Sequence, residues 1–239
     1  MHQAVTPTVN DFLASADATL PAGYTAVLYG SAARGDYVKG RSDVNLMLIA
    51  EAAGFSLLRA LGPALRRWRE ASYEPPLLFT RAEWARATDV FPIEITDMKH
   101  GYELLRGSDP ITPVTVNPLD LRQALEGEFR GKLMRMRQAY ATFGDEEKDL
   151  TPLALSSLSS ILVLFRSMLT LGACGVNGSA ASAVEEAARV ADFPPEPVLE
   201  IVRNRDAGNW RCSAAIFEGY VTAVARAAHH VDQLQTGES

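Results

Sequence analysis

The chain has 239 residues, 47% of them hydrophobic and 22% charged, with a net charge of −6. That balance fits a soluble globular protein with a sizeable core, built as one large or two small domains. It speaks against a dedicated nucleic-acid binder, which carries a basic footprint. The two cysteines, Cys174 and Cys212, are too few for a disulfide framework or a cysteine-based zinc site.

The first half alternates helix and strand signals. "VNDFLASADATL" puts Phe12, Leu13 and Ala16 on one helical stripe, and "YTAVLYG" is a short apolar run ended by Gly30. "DVNLMLIA" is apolar on both faces, with Val44, Leu46 and Leu48 on one and Asn45, Met47 and Ile49 on the other. Such a pattern predicts a buried central strand. "FSLLRALGPALRRWRE" spaces Leu57, Leu58, Leu61, Leu65 and Trp68 as a helix, kinked or split at Gly62-Pro63. "PPLLFT" reads as a strand near an edge, because prolines are confined there. Thr80 followed by Glu83 predicts a capping box on a short helix. "FPIEITDM" reads as a third strand, and "YELLRGSDP" as a short extended or turning segment.

The second half carries helical signals throughout. A long helix is expected from the Asn117 cap and Pro118 to Gly144, with Leu121, Leu125, Phe129, Leu133, Met136 and Tyr140 as its stripe. "TPLALSSLSSILVLFRSMLTLG" repeats a Thr-Pro opening, at Thr151-Pro152, and a Gly stop. Further helices are expected at 179–191, 196–205 and 211–235, giving a bundle of four or five. "LSSILVLFRSMLTLGACG" is interrupted by Arg166 and is short for a bilayer span. The N-terminal stretch lacks the basic and apolar regions of a signal peptide, so the cytoplasm is the expected location.

Chemistry gathers around residues 28–49, "LYGSAARGDYVKGRSDVNLMLI". Gly30-Ser31 lies between a strand and a helix-prone segment. Small residues there admit a phosphate to backbone N–H groups, and the Ser31 hydroxyl adds a hydrogen bond; the same pair also makes ordinary turns. Asp43 opens the buried strand and Asn45 shares its face, so both can offer oxygen to one hard cation. Glu94 lies inside the expected third strand, where a carboxylate is costly unless paired or liganded. As a strand, "PIEIT" puts Glu94 with Thr96 and leaves Asp97 on the face of Ile93 and Ile95, so Glu94 is favoured over Asp97 as partner of Asp43. The competing reading pairs Glu94 with Arg34, Arg41 or Lys99. Arg34, Lys39 and Arg41 flank the turn, either neutralising phosphate charge or simply solvated.

This stretch resembles the signature of the DNA polymerase β-type nucleotidyltransferases: Gly-Ser or Gly-Gly, a spacer, Asp-x-Asp on a strand, and a third carboxylate on a later strand. The resemblance covers about residues 12–110. The second half is similar in layout to bacterial aminoglycoside-type nucleotidyltransferases, where a helical domain packs beside the catalytic one. The resemblance implies an α/β (α+β) nucleotidyltransferase domain with a central mixed sheet over residues 1–110, then an all-helical bundle domain over 117–239, with a ligand cleft between them. It implies that Gly30 and Ser31 bind the nucleotide, with Arg34 and Arg41 beside the turn as further nucleotide-binding candidates, that Asp43 and Glu94 are catalytic and hold Mg²⁺, and that Asn45 stands at the position of the remaining metal ligand. Asn45 departs from the pattern, since it replaces the second carboxylate by a neutral amide.

The function so implied is transfer of a nucleoside monophosphate from a nucleoside triphosphate, ATP foremost, to a hydroxyl of a small-molecule or protein acceptor. Neither membrane nor nucleic acid is an expected partner. Two rivals stand beside it: an inactive nucleotide-binding or regulatory pseudoenzyme, and an antitoxin-like partner protein. Asn45 favours the rivals, whereas Gly30, Ser31, Asp43 and Glu94 together favour an enzyme.

Overall fold

The structure is a computed structural model that describes residues 3–35, 37–38, 42–175 and 178–234. The chain divides into two compact units, Met1–Thr115 and Val116–Ser239. In the first unit the elements run α1 (Thr6–Asp17), β1 (Thr25–Tyr29), α2 (Ser31–Arg34), β2 (Asn45–Ala50), α3 (Phe55–Glu70), β3 (Leu77–Thr80), α4 (Arg81–Trp84), α5 (Pro92–His100) and β4 (Tyr102–Arg106).

The four strands form one mixed sheet in the order β3-β2-β1-β4. β1 is antiparallel to both neighbours, with Tyr29 opposite Asn45 on one side and Tyr102 on the other, and β2 is parallel to β3. The apolar runs of β1 and β2 are buried almost end to end, as a central strand requires. One sheet face, with Ala26, Leu28, Val44, Leu46 and Leu48, joins the core made by Val9, Phe12 and Leu13 of α1 and Leu61 and Trp68 of α3. Trp68 packs edge-on against Phe12 with ring centroids 5.0 Å apart, and its indole N–H donates to the Glu74 carbonyl at 2.7 Å. The buried tryptophan thus keeps its polar atom satisfied. The strand after Pro75-Pro76 is an edge strand, and Thr80 and Glu83 form the reciprocal capping box on α4.

Two expectations are corrected within this unit. α3 is not split at Gly62-Pro63 but continues as one helix with Pro63 inside it. "FPIEITDM" is helix α5, not a third strand. Both hydrogen-bonding edges of β1 are already taken, by β2 and β4, so the sheet's centre has no place for it. Pro92 instead starts a helix, where its missing N–H costs nothing. The Thr96 hydroxyl bonds back to the Pro92 carbonyl at 2.7 Å. Ile93, Ile95, Thr96, Asp97 and Met98 are all buried, and burial on nearly every side erases the periodicity that would separate helix from strand. The consequence for the carboxylates is direct: Glu94 is exposed on the helix's first turn, and Asp97 follows it by three residues, on the adjacent turn.

The second unit holds α6 (Pro118–Phe143), α7 (Glu147–Leu171), α8 (Ala180–Ala191), α9 (Glu196–Asn204) and α10 (Ala214–Gln233). Asn117 caps α6 by accepting from the Leu119 amide, and Gly144 ends it with a positive φ of 63°. Leu121, Leu125, Phe129 and Met136 are the buried part of its stripe. α7 begins at Glu147 rather than at Thr151, so Pro152 lies inside the helix. Thr151 is not a cap; its hydroxyl donates to the Glu147 carbonyl and accepts the Cys212 amide at 2.9 Å, tying α7 to the start of α10. α7 is long and apolar enough to cross a membrane, but 61% of its apolar window is buried and Arg166 is buried in the same helix, as in the core helix of a bundle.

Candidate active site

β1 delivers the chain to Gly30, whose φ of 73° is open to glycine at little cost. The Gly30 carbonyl accepts from the Ala33 and Arg34 amides at 3.1 and 3.0 Å, and the Ser31 carbonyl accepts from Gly35 at 3.0 Å. These bonds wind the single turn of α2 and leave Ser31 partly exposed at its head. Gly30 also makes room for a neighbour. A Cβ there would stand 2.6 Å from the Asn45 side-chain nitrogen, closer than any side chain tolerates. Pairing of Tyr29 with Asn45 across β1 and β2 creates this approach.

Asp43 precedes β2. Its Oδ1 accepts the Val44 amide at 2.8 Å and the Glu74 amide at 3.1 Å, which fixes the carboxylate. Tyr29, at the end of β1, is 9% exposed. Burial raises its phenol pKa, and the charges of Glu94, Asp97 and Asp43 raise it further. Burial likewise raises the Tyr37 phenol, with a hydrogen bond to Tyr73 and the Asp43 charge adding to it.

Arg34, the last residue of α2, turns to α5. Its Nη1 donates to Asp97 Oδ1 at 2.9 Å, with the two side chains only 12% and 5% exposed. The aliphatic stem lies on Gly101, where a Cβ would meet Arg34 Cγ at 2.4 Å. Arg34, one of the partners anticipated for Glu94, thus pairs with Asp97. Arg41 and Lys39 lie outside the described residues. Sequence reasoning missed Tyr29, Gly101 and the Arg34–Asp97 pair. Gly101, between a helix and a strand, was the one local hint of a close approach.

Among the described residues no group of three or more His, Cys, Asp or Glu side chains is placed to hold a metal ion. Among the described residues, Asp43, with one oxygen already accepting two N–H groups, and the neutral amide of Asn45 lie beside the turn, and Glu94 is exposed on α5. Asp97 is committed to Arg34. This set does not fit a protein-held pair of cations. It fits one cation that brings most of its oxygen ligands with it, as a triphosphate complex does. Three cavities are found among the described residues. The first unit has a groove of about 500 Å³ by Phe79, Val90 and Phe91 and another of about 290 Å³ by Trp84 and Asp109. The second has one of about 270 Å³ by Ser179 and Glu186. Gly30, Ser31, Asp43 and Asn45 do not line these three cavities.

The described residues thus combine a mixed four-stranded sheet, a glycine-serine turn after its central strand, and a helical C-terminal region. No family model and no curated protein matches the chain. Among solved structures it is similar to a spectinomycin adenyltransferase, AAD(9), from Enterococcus faecialis, determined with ATP and spectinomycin. The TM-score is 0.60 at 13% identity, over 98% of this chain and 100% of that one. At that identity the likeness speaks for the fold.

Proposed function

We propose that the chain binds a nucleoside triphosphate, ATP foremost, at the Gly30–Ser31 turn and transfers its nucleoside monophosphate to a hydroxyl of a small-molecule acceptor. The observation that carries this reading is the turn itself: Gly30 at positive φ and a partly exposed Ser31 heading α2, with Asp43 and Asn45 at the start of the paired strand. The neighbour's ATP and spectinomycin suggest the nucleotide and a polyhydroxylated acceptor, and a reaction that consumes ATP is best placed in the cytoplasm.

In this reading the Ser31 hydroxyl and the turn's backbone hold the terminal phosphates. Glu94, exposed on α5, takes the proton of the acceptor hydroxyl. The acceptor oxygen bonds to the α-phosphorus, the bond from that phosphorus to the bridging oxygen breaks, and pyrophosphate leaves. Asp43 and the Asn45 carbonyl would hold one Mg²⁺ entering with the triphosphate, and the ion supplies charge neutralisation there.

A second reading, triphosphate binding without transfer, is favoured by the neutral Asn45 and by the commitment of Asp97 to Arg34. Pyrophosphate release from ATP is measured with polyhydroxylated acceptors, aminocyclitols among them, alongside calorimetric ATP binding. Acceptor-dependent release supports transfer. Binding without release supports the second reading, and no binding sinks both.

A further inference from the structure

The cation at the end of α2 does not point into solvent to await a phosphate. It is buried against a carboxylate 63 residues further on. Three segments meet there. Arg34 closes the turn through its backbone, donating its amide to the Gly30 carbonyl at 3.0 Å. Its side chain crosses the junction between α5 and β4 at Gly101, where only a residue without a side chain lets it pass. Its guanidinium then ends on Asp97, in the buried face of α5. β4 begins at the next residue, Tyr102, which lies opposite Tyr29 in the sheet. The pair therefore links the turn that follows β1 to the helix that bears Glu94.

We propose that Asp97 is a positioning residue that acts on triphosphate binding through Arg34, holding the Gly30–Arg34 turn in its binding geometry and in register with α5. This rests on the reading of that turn as the phosphate site. Arg34 is then a brace of the turn rather than a phosphate ligand. The sequence contains the pattern required: a small turn, an arginine at its end, a carboxylate on a helix, and a glycine under the arginine's stem. A buried ion pair is weak as a source of stability, because desolvation takes back most of its attraction. Its geometric value is greater, since a guanidinium and a carboxylate bond only in a narrow range of orientations. Removing one partner leaves the other charge buried and drives it to move. Removing both leaves no such drive, but also no brace.

The test uses the full chain with a non-hydrolysable ATP analogue and Mg²⁺, and the variants Asp97→Asn, Arg34→Gln and the double variant. Calorimetry gives affinity, and hydrogen exchange gives the local effect. The expected result for Asp97→Asn is a loss of roughly tenfold in affinity, the size of one misplaced set of hydrogen bonds. Exchange should speed up at the Ala33, Arg34 and Gly35 amides, which close the turn onto Gly30 and Ser31, while the β1 and β2 amides keep their protection. The double variant should bind as weakly as either single variant, because both remove the same brace. If a single variant fails to fold, the double variant, with no charge stranded, carries the same expectation. Wild-type affinity in Asp97→Asn or in the double variant would overturn the proposal. So would losses that add, or faster exchange confined to α5, which would make the pair a fastening for that helix alone. Failure of the wild-type protein to bind the analogue would instead remove the phosphate-site reading together with the proposal.

Discussion

Gly30 and Asn45 approach so closely that a methyl group on Gly30 would stand 2.6 Å from the Asn45 side-chain nitrogen. The glycine is also at a φ of 73°, which an L side chain rarely adopts. Gly30→Ala therefore meets two penalties at once, backbone strain and a clash with a side chain on a central strand. The expected cost is about 1–3 kcal/mol of stability. Denaturant unfolding of the two proteins measures it, and an unchanged midpoint would show that the turn relaxes freely.

Ser31→Ala tests the turn without straining it. Ser31 heads α2 but makes no side-chain cap, so the helix should not notice the loss. Triphosphate binding should weaken by about 1 kcal/mol, and by more where the lost bond runs to a charged oxygen. Calorimetry with a non-hydrolysable triphosphate reads this directly. Equal affinities would remove the Ser31 hydroxyl from the site.

A third expectation concerns acid stability in the loop after β4. Burial pushes the Asp109 carboxyl up, but hydrogen bonds from the Thr112 and Tyr102 hydroxyls and from the Ile111 and Thr112 amides outweigh it and hold the group at about 2. Its ordinary value is 3.8. A carboxyl depressed in the folded state stabilises above its unfolded pKa, and that contribution fades as the pH falls from near 4 towards 2. Asp109→Asn should remove this part of the acid sensitivity and lower the melting temperature at neutral pH. Melting curves of both proteins between pH 2 and 7 provide the check, and parallel profiles would count against it.

The elements that could be read from sequence are those whose cause is local. Gly30 ends β1, Thr80 and Glu83 build a capping box within four residues, and Asn117-Pro118 opens α6. Pro75-Pro76 marked an edge strand because a proline cannot donate to a ladder. α5 was not legible, because its strand-like composition is overruled by what surrounds it: β1 has no free edge, and burial on nearly all sides removes any helical stripe. Thr151-Pro152 looked like a helix start, yet the acidic Glu147 and Asp149 before it already begin the helix favourably. At the candidate site, the Gly30–Ser31 turn, Asp43 and Asn45 could be read within one short stretch. The Arg34–Asp97 pair could not, since nothing local connects residues 63 positions apart.

Asn45→Asp bears most directly on the chemistry. The exchange is nearly isosteric and puts a second carboxylate on β2 beside Asp43. In the protein without nucleotide, the new charge stands two residues from Asp43, on the same face of the chain. Like charges at one place raise each other's pKa and cost stability when ionised. The variant should therefore melt lower than the wild type at neutral pH, in the absence of Mg²⁺ and nucleotide. With both present the sign reverses, because a cation shared between the triphosphate and two carboxylates is held more tightly than by one. At an effective dielectric near 20, opposite charges a few ångström apart attract by several kcal/mol, most of which desolvation and carboxylate repulsion return. A net gain of about 1–2 kcal/mol in Mg²⁺-dependent nucleotide binding is the expected outcome, roughly tenfold in affinity. Thermal shift with and without Mg²⁺ and a non-hydrolysable triphosphate reads both effects in one experiment. The variant should start lower and gain more than the wild type on adding the ligands. Identical responses would mean that position 45 does not face the cation, and Asp43 would then be left without its partner on β2.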